Sequence, residues 1–170
     1  MMLRHFMPIL TVIGMISPTF VHAEELASPT GRILLTVSGQ ITETNADGVA
    51  QFDLDMLRDL GVEEVQTTTI WTDGPQVFVG VSLDVLMDRV GASGSSIDAS
   101  AINDYTVQIP LSDAVDGGPI VAFQRNGNVM SRREKGPLWL IYPFDSSADY
   151  RTEVIYSRSI WQLDRMAITQ

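Results

Sequence analysis

No cysteine occurs at any of the 170 positions of this chain, so its fold must be held by burial and hydrogen bonding alone, without a disulfide or thiolate-bound metal. That demands a sizeable apolar core, and 45% of the residues are hydrophobic. The two histidines are His5 and His22. Both fall in a stretch with the layout of a secretory signal. Met1-Met2-Leu3-Arg4-His5 gives a short positive start, Phe6 to Phe20 is a mainly apolar stretch broken by Pro18 near its end, and Val21-His22-Ala23 offers a cleavage site. A bilayer-spanning helix needs about 20 apolar residues. The expectation is therefore a signal peptide over 1–23 and one domain over 24–170, periplasmic or secreted and with no membrane anchor after cleavage.

On that reading the domain carries neither histidine nor cysteine. Ser-His and Cys-His nucleophile systems and zinc sites built on those residues are excluded. Charge is unevenly spread: residues 24–123 hold 3 arginines against 16 acidic residues, a net of −13, whereas residues 124–170 hold 7 basic against 5 acidic, a net of +2. So acidic a chain repels phosphate backbones, and no nucleic-acid partner is expected. A local anion site in the last third is compatible with the pattern.

Hydrophobic periodicity predicts strands and short helices in alternation. Arg32 to Ile41 alternates as a strand, Asn45 to Gly48 turns, and a second strand ends at Phe52. Asp53 has the place of an N-cap for a helix from Leu54 to Leu60 that Gly61 stops. Val65 to Trp71 and Val77 to Val81 read as strands. Leu83, Leu86, Met87 and Val90 keep the i, i+3, i+4, i+7 spacing of an amphipathic helix opened by Ser82 and closed by Gly91. Ala92 to Ser96 reads as a small-residue loop. Tyr105 to Pro110, Ile120 to Gln124 and Val129 to Arg132 read as strands, the last two joined by an Asn126-Gly127 hairpin. Leu138 to Tyr142 and Val154 to Ile168 complete a strand-rich second half. One α+β domain with mixed β-sheets and short helices follows.

Five segments in this order carry a resemblance: Gly39-Gln40-Ile41 with Phe52 to Leu57, Phe78 to Leu83, Asn103 to Val107, Asn126 to Met130, and Lys135 to Pro143. The chain resembles the molybdopterin-binding domain of sulfite-oxidase-type oxidoreductases. The resemblance implies a sulfite-oxidase-like fold and a pterin pocket near these segments. It also implies a metal-binding cysteine just before Phe78, but Thr67 to Thr72 occupies that region; Trp139 stands where the family usually has an arginine. A threonine cannot replace a soft thiolate as metal ligand without changing the chemistry. Members that carry molybdopterin are generally exported folded through a twin-arginine signal, and this chain has only Arg4 before its apolar run. No cofactor is expected, molybdopterin being implied by the resemblance alone.

The candidate ligand-binding residues form three sets. Arg132, Arg133 and Lys135, with Arg151 and Arg158 if the fold brings them near, have the chemistry to clamp a small anion; a solvated hairpin end explains the same run. Trp71, Trp139, Tyr142, Tyr150, Tyr156 and Trp161 could line a groove for a planar ligand or face a partner protein, although Trp139 and Trp161 fit ordinary core packing. Asn103, Asp104 and Tyr105 match a family turn beside the pocket, and an Asx turn explains them equally well. Glu43, Asn45, Asp47 and Gly48 imitate half a calcium loop, but Leu54 takes the place of its closing glutamate. Asp53 with Asp55, and Glu63 with Glu64, read as capping and solvated carboxylates rather than an acid-base pair. The resulting expectation is a non-catalytic domain that binds a small anion or a periplasmic partner protein in a signalling or redox system. The alternatives are a molybdopterin-dependent oxidoreductase with atypical ligation and a structural interaction module.

Overall fold

The computed structural model describes residues 25–170, and the expected signal segment, residues 1–23, lies outside the described residues. Strand β1 runs over Leu35–Gly39 with Leu35 and Val37 buried, and β2, Ala50–Phe52, returns antiparallel beside it. On the other side of β1 lies the last strand of the chain, β10 over Leu163–Thr169, in parallel register from Thr36 opposite Arg165 to Gly39 opposite Ile168. Strands β5 (Ser96–Ala101) and β6 (Thr106–Pro110) extend this sheet antiparallel, giving the order β2-β1-β10-β5-β6. A second sheet holds β3 (Glu63–Thr67), β4 (Gln76–Ser82), β7 (Ile120–Arg125) and β8 (Asn128–Val129), with β9 (Trp139–Ile141) also paired to β7. The fold class is α+β, as the sequence predicts.

Strand β7 explains how the two sheets become one body. Ile120, Val121, Ala122 and Phe123 are all buried, the continuous apolar run expected of a strand covered on both faces. Val121 and Phe123 join Leu140, Leu83, Leu86 and the apolar residues of the first sheet in the main core, whereas Ile120 and Ala122 pack with Phe78, Met130, Trp139 and Ile141 in a second cluster. Gly80 of β4 crosses β7 so closely that a Cβ there would run into the Val121 carbonyl, and the register shifts at this point. Close backbone approach is what glycine permits in a strand.

Short helices cover the core. Helix α1, Leu54–Asp59, buries Leu57, and helix α2, Leu83–Arg89, buries Leu83, Leu86 and Met87 in the predicted stripe. Asp53 caps α1 as expected, accepting from Met56 N at 2.9 Å, and its other oxygen accepts from Thr30 N at 2.8 Å and Gly31 N at 2.7 Å. One buried carboxylate therefore ties the entering chain to the start of the helix.

Four expectations about local structure are corrected. Ala92 to Ser96 is a loop, but Ser96 opens β5, whose small alternating residues Ile97, Ala99 and Ala101 face the core. Val154 to Ile168 is not one strand: Thr152 Oγ1 accepts from Ile155 N at 3.3 Å and caps helix α3, Glu153–Arg158, before β10 begins. Val129 to Arg132 is strand only through Val129, because Ser131 and Glu134 form a capping box around a single 3-10 turn at Arg132–Glu134. Beyond Thr67 the stretch to Trp71 leaves the sheet, held in a loop by hydroxyl contacts.

Replacing Asp53 with Ala should lower the unfolding free energy by about 1–2 kcal/mol in urea titrations at neutral pH. Its three backbone donors hold the Asp53 carboxyl below the usual aspartate range. The contribution is thus complete above the ordinary value of about 3.9 and is lost as pH falls through the depressed folded value. The gap between wild type and variant should narrow only in that acid window; a gap independent of pH would contradict this account.

Candidate functional site

Aromatic side chains from four stretches of the chain converge beside β9. Trp139 lies on that strand, Phe144 just after it, Trp71 on the loop after β3, and Tyr156 and Trp161 on and after α3. Trp71 is the hub. Its ring centroid is 5.8 Å from Trp139, 6.3 Å from Phe144, 5.9 Å from Tyr156 and 5.6 Å from Trp161, with interplanar angles of 60°, 65°, 85° and 73°. Such edge-to-face packing suits the ring quadrupoles. Trp139 is fully buried and donates its indole N–H to Ser159 O at 3.1 Å.

Two polar clasps shape the Trp71 loop. Asp145 accepts from Thr68 N at 2.6 Å and from Thr68 Oγ1 at 2.7 Å, and its own N–H donates to Thr67 Oγ1 at 3.1 Å. These bonds, those of the Thr68 hydroxyl and amide foremost, hold the Asp145 carboxyl below the usual aspartate range. Thr69 and Thr72 join their hydroxyls at 2.7 Å, and Thr69 Oγ1 accepts from Trp71 N at 3.1 Å.

Beside this cluster opens a cleft of about 390 Å³. Trp71, Tyr105, Tyr156 and Trp161 supply its aromatic walls, Asn103, Ser157 and Ser159 its polar points, and Ala101 and Ile160 the rest. No charged side chain is among its lining residues. Tyr105 is 56% and Trp161 37% exposed, so two rings stand at the mouth. The Tyr105 and Tyr156 hydroxyls make no hydrogen bond among the described residues, while Ser157 and Ser159 donate to the backbone oxygens of Val154 and Ile155.

The structure divides the residues that the sequence singles out. Trp71, Asn103 and Tyr105 line the cleft, with Trp139 packed behind Trp71. Asn103 Oδ1 accepts from Tyr105 N at 3.3 Å in the Asx turn, and Asp104, at a left-handed φ of 65°, pairs with Arg165 at 2.7 Å. Lys135, the one lysine of the chain, places Nζ 3.8 Å from the Trp161 ring centroid and 5.5 Å from that of Trp139. Burial, and then the neighbouring Arg125 charge, lower its pKa from the usual lysine range.

Other candidates lie elsewhere. Arg132 lines a separate groove of about 390 Å³ with Arg32, Asp53 and Asp55. Arg133 is exposed and forms no salt bridge among the described residues. Arg158 donates to Asp113 at 2.9 Å, and the buried Tyr142 hydroxyl donates to the same oxygen at 2.7 Å. Burial first, then the Asp113 carboxylate, push the Tyr142 hydroxyl well above the usual tyrosine range. Tyr150 packs against Tyr142 at 5.8 Å, and Arg151 is exposed, its charge acting on Asp145. The basic run and the aromatic set therefore do not form one site. Sequence reasoning named Trp161 among the groove-lining aromatics but favoured core packing for it, and it did not single out Ser157, Ser159, Asp113 or Asp145. Only Trp161 carried a signal, an aromatic residue followed directly by the polar Gln162.

Comparison with protein-family models finds no match, and comparison with curated proteins finds none either. The Thr67 to Thr72 loop does not fit a thiolate-held molybdenum. It contains no sulfur donor, and its first two hydroxyls are engaged with Asp145.

Replacing Asp145 with Ala should release this loop while the domain stays folded. Discounted for solvent exposure, the lost bonds are worth about 1 kcal/mol of stability. Tryptophan emission should shift to the red at neutral pH as Trp71 loosens; unchanged emission would show that the clasp does not position Trp71.

Proposed function

We propose that the chain is a non-catalytic binding domain that takes a small organic ligand into the cleft walled by Trp71, Tyr105, Tyr156 and Trp161. The cleft itself carries the reading. Concave sites with mostly apolar and aromatic walls and a few polar groups are the usual form of a small-molecule pocket, and this one has the size of one. Its walls include no carboxylate, amine, thiol or imidazole, so no lining group is placed to activate the Ser157, Ser159, Tyr105 or Tyr156 hydroxyls as nucleophiles.

The position of the cleft supports a link to the resembled family. The loop that would carry the molybdenum-binding cysteine contributes Trp71 to the cleft wall, so a sulfite-oxidase-like domain that kept its pocket and lost its metal accounts for the arrangement. The signal-like segment at residues 1–23 supports a periplasmic or secreted domain that serves a signalling or redox system through what it binds. A small anion fits this cleft poorly, since none of its walls is cationic. Arg132 is in the other groove, where Asp53 and Asp55 oppose an anion.

Protein purified from the exported fraction should hold no stoichiometric molybdenum by mass spectrometry. Titration with uncharged planar heterocycles and with ammonium compounds should quench tryptophan emission for at least one class. Trp161→Ala should weaken that binding about tenfold, the scale of losing one aromatic stack. Stoichiometric molybdenum, or quenching that survives Trp161→Ala undiminished, would overturn the reading.

A further inference from the structure

An ammonium group already rests on one wall of this aromatic cluster. Lys135 Nζ lies 3.8 Å from the Trp161 ring centroid, well within the roughly 6 Å over which a cation is attracted to the face of an indole. Lys135 forms no salt bridge among the described residues, so the rings, not a carboxylate, are its partner. It is not among the residues that line the cleft.

We propose that the cleft recognises a quaternary or methylated ammonium group, a soft organic cation held against ring faces. This rests on the reading of the cleft as a binding site and names its ligand class. Three observations carry it. Trp71, Tyr105, Tyr156 and Trp161 all line the cleft, and Trp161 and Tyr156 are inclined at 73° and 85° to Trp71, so its aromatic walls are not coplanar and border the space from more than one direction. No basic side chain lines the cleft, and the two arginines that flank it in sequence are neutralised, Arg158 by Asp113 and Arg165 by Asp104. The chain as a whole carries a net charge of −10, a field that draws cations and repels anions.

A methylated ammonium has no N–H to donate and sheds water easily, so a cleft with few polar points and no carboxylate discriminates in its favour against a primary amine or a metal ion. Trp71, Tyr156 and Trp161 supply the faces, and the exposed ring of Tyr105 closes the mouth. Lys135 opposes the ligand. A second cation held against Trp161 is repelled by this ammonium, and at a separation of about 8 Å in a water-like dielectric the repulsion costs roughly a factor of two to three in affinity.

The test is titration of the folded domain with choline chloride, followed by tryptophan emission and thermal shift. Sodium chloride controls for ionic strength, and 3,3-dimethylbutan-1-ol serves as the uncharged isostere. Choline should bind at least about tenfold more tightly than the isostere. Tyr105→Ala, which removes an exposed ring and leaves the core intact, should weaken choline about fivefold, and Trp161→Ala more. Lys135→Gln should tighten choline roughly two- to threefold and leave the isostere unchanged.

Equal binding of choline and the isostere, or no effect of Tyr105→Ala and Trp161→Ala on choline, would overturn the proposal. If uncharged planar heterocycles bind while choline does not, the ligand class is wrong and the cleft remains a binding site. If neither binds, the binding reading falls with it.

Discussion

Insertion of the last strand between the first and the fifth is the constraint on which the rest of the domain depends. β10 pairs in parallel with β1 and antiparallel with β5, so segments more than a hundred residues apart in the chain are neighbours in one sheet. It brings Leu163, Met166 and Ile168 to the core, and without it β1 and β5 would both be open edges. The approach is close: Gly39 ends β1 at a φ of 87°, where any side chain would meet the Ile168 carbonyl. In a chain without cysteine this pairing does what a covalent staple does in smaller domains, closing the fold across its whole length. It also places the site. The residues leading into β10 include Ser159, Ile160 and Trp161, and Ile102 N, just past β5, donates to Gln162 O at 2.9 Å, so the turn bearing Asn103 and Tyr105 is held opposite them. The cleft is thus a consequence of how the segment before β10 enters the sheet.

Where sequence patterns and structure agree, the deciding force is local. Asp53 is legible as a cap because a carboxylate before an apolar helical stripe has few other uses, and the α2 stripe is legible because four large apolar residues repeat at the helical period. Asn126-Gly127 takes the two left-handed conformations that its hairpin requires, with φ of 50° and 78°. Disagreement arises where long-range packing decides. Ser96 to Ala101 alternates correctly for a strand, but Ala99 and Ala101 are too small to announce it, and pairing with β10 supplies the stability. Val154-Ile155-Tyr156 favours a strand by composition, yet Thr152 caps a helix there and Ile155 gains burial in it.

The candidate site shows the same division. That Trp71, Trp139, Tyr156 and Trp161 belong together is what the family resemblance implies, since they fall in or near the strands that would surround its pocket. Which of them would remain accessible was not, because exposure depends on the turn around Asn103 and on the angle at which α3 enters. The basic run misled for a related reason. Arg132 and Lys135 are three residues apart, but the capping box at Ser131 and the left-handed Lys135, φ 72°, turn the backbone sharply between them. One side chain faces the groove beside α1, and the other lies on Trp161.

The loop from Thr67 to Thr72 shows how one composition limit reaches the chemistry. With no thiol available, the loop's hydroxyls close on each other and on Asp145, satisfying its backbone where another chain could hold a metal ligand. Those bonds fix the path that delivers Trp71 to the centre of four other rings. Aromatic faces then become the strongest recognition elements the cleft possesses. They attract through polarisable area and a quadrupole rather than through formal charge, and so favour flat or softly cationic partners over hard anions. The absence of cysteine thus leaves hydroxyl and carboxylate contacts to shape the loop that delivers Trp71 to the cleft wall.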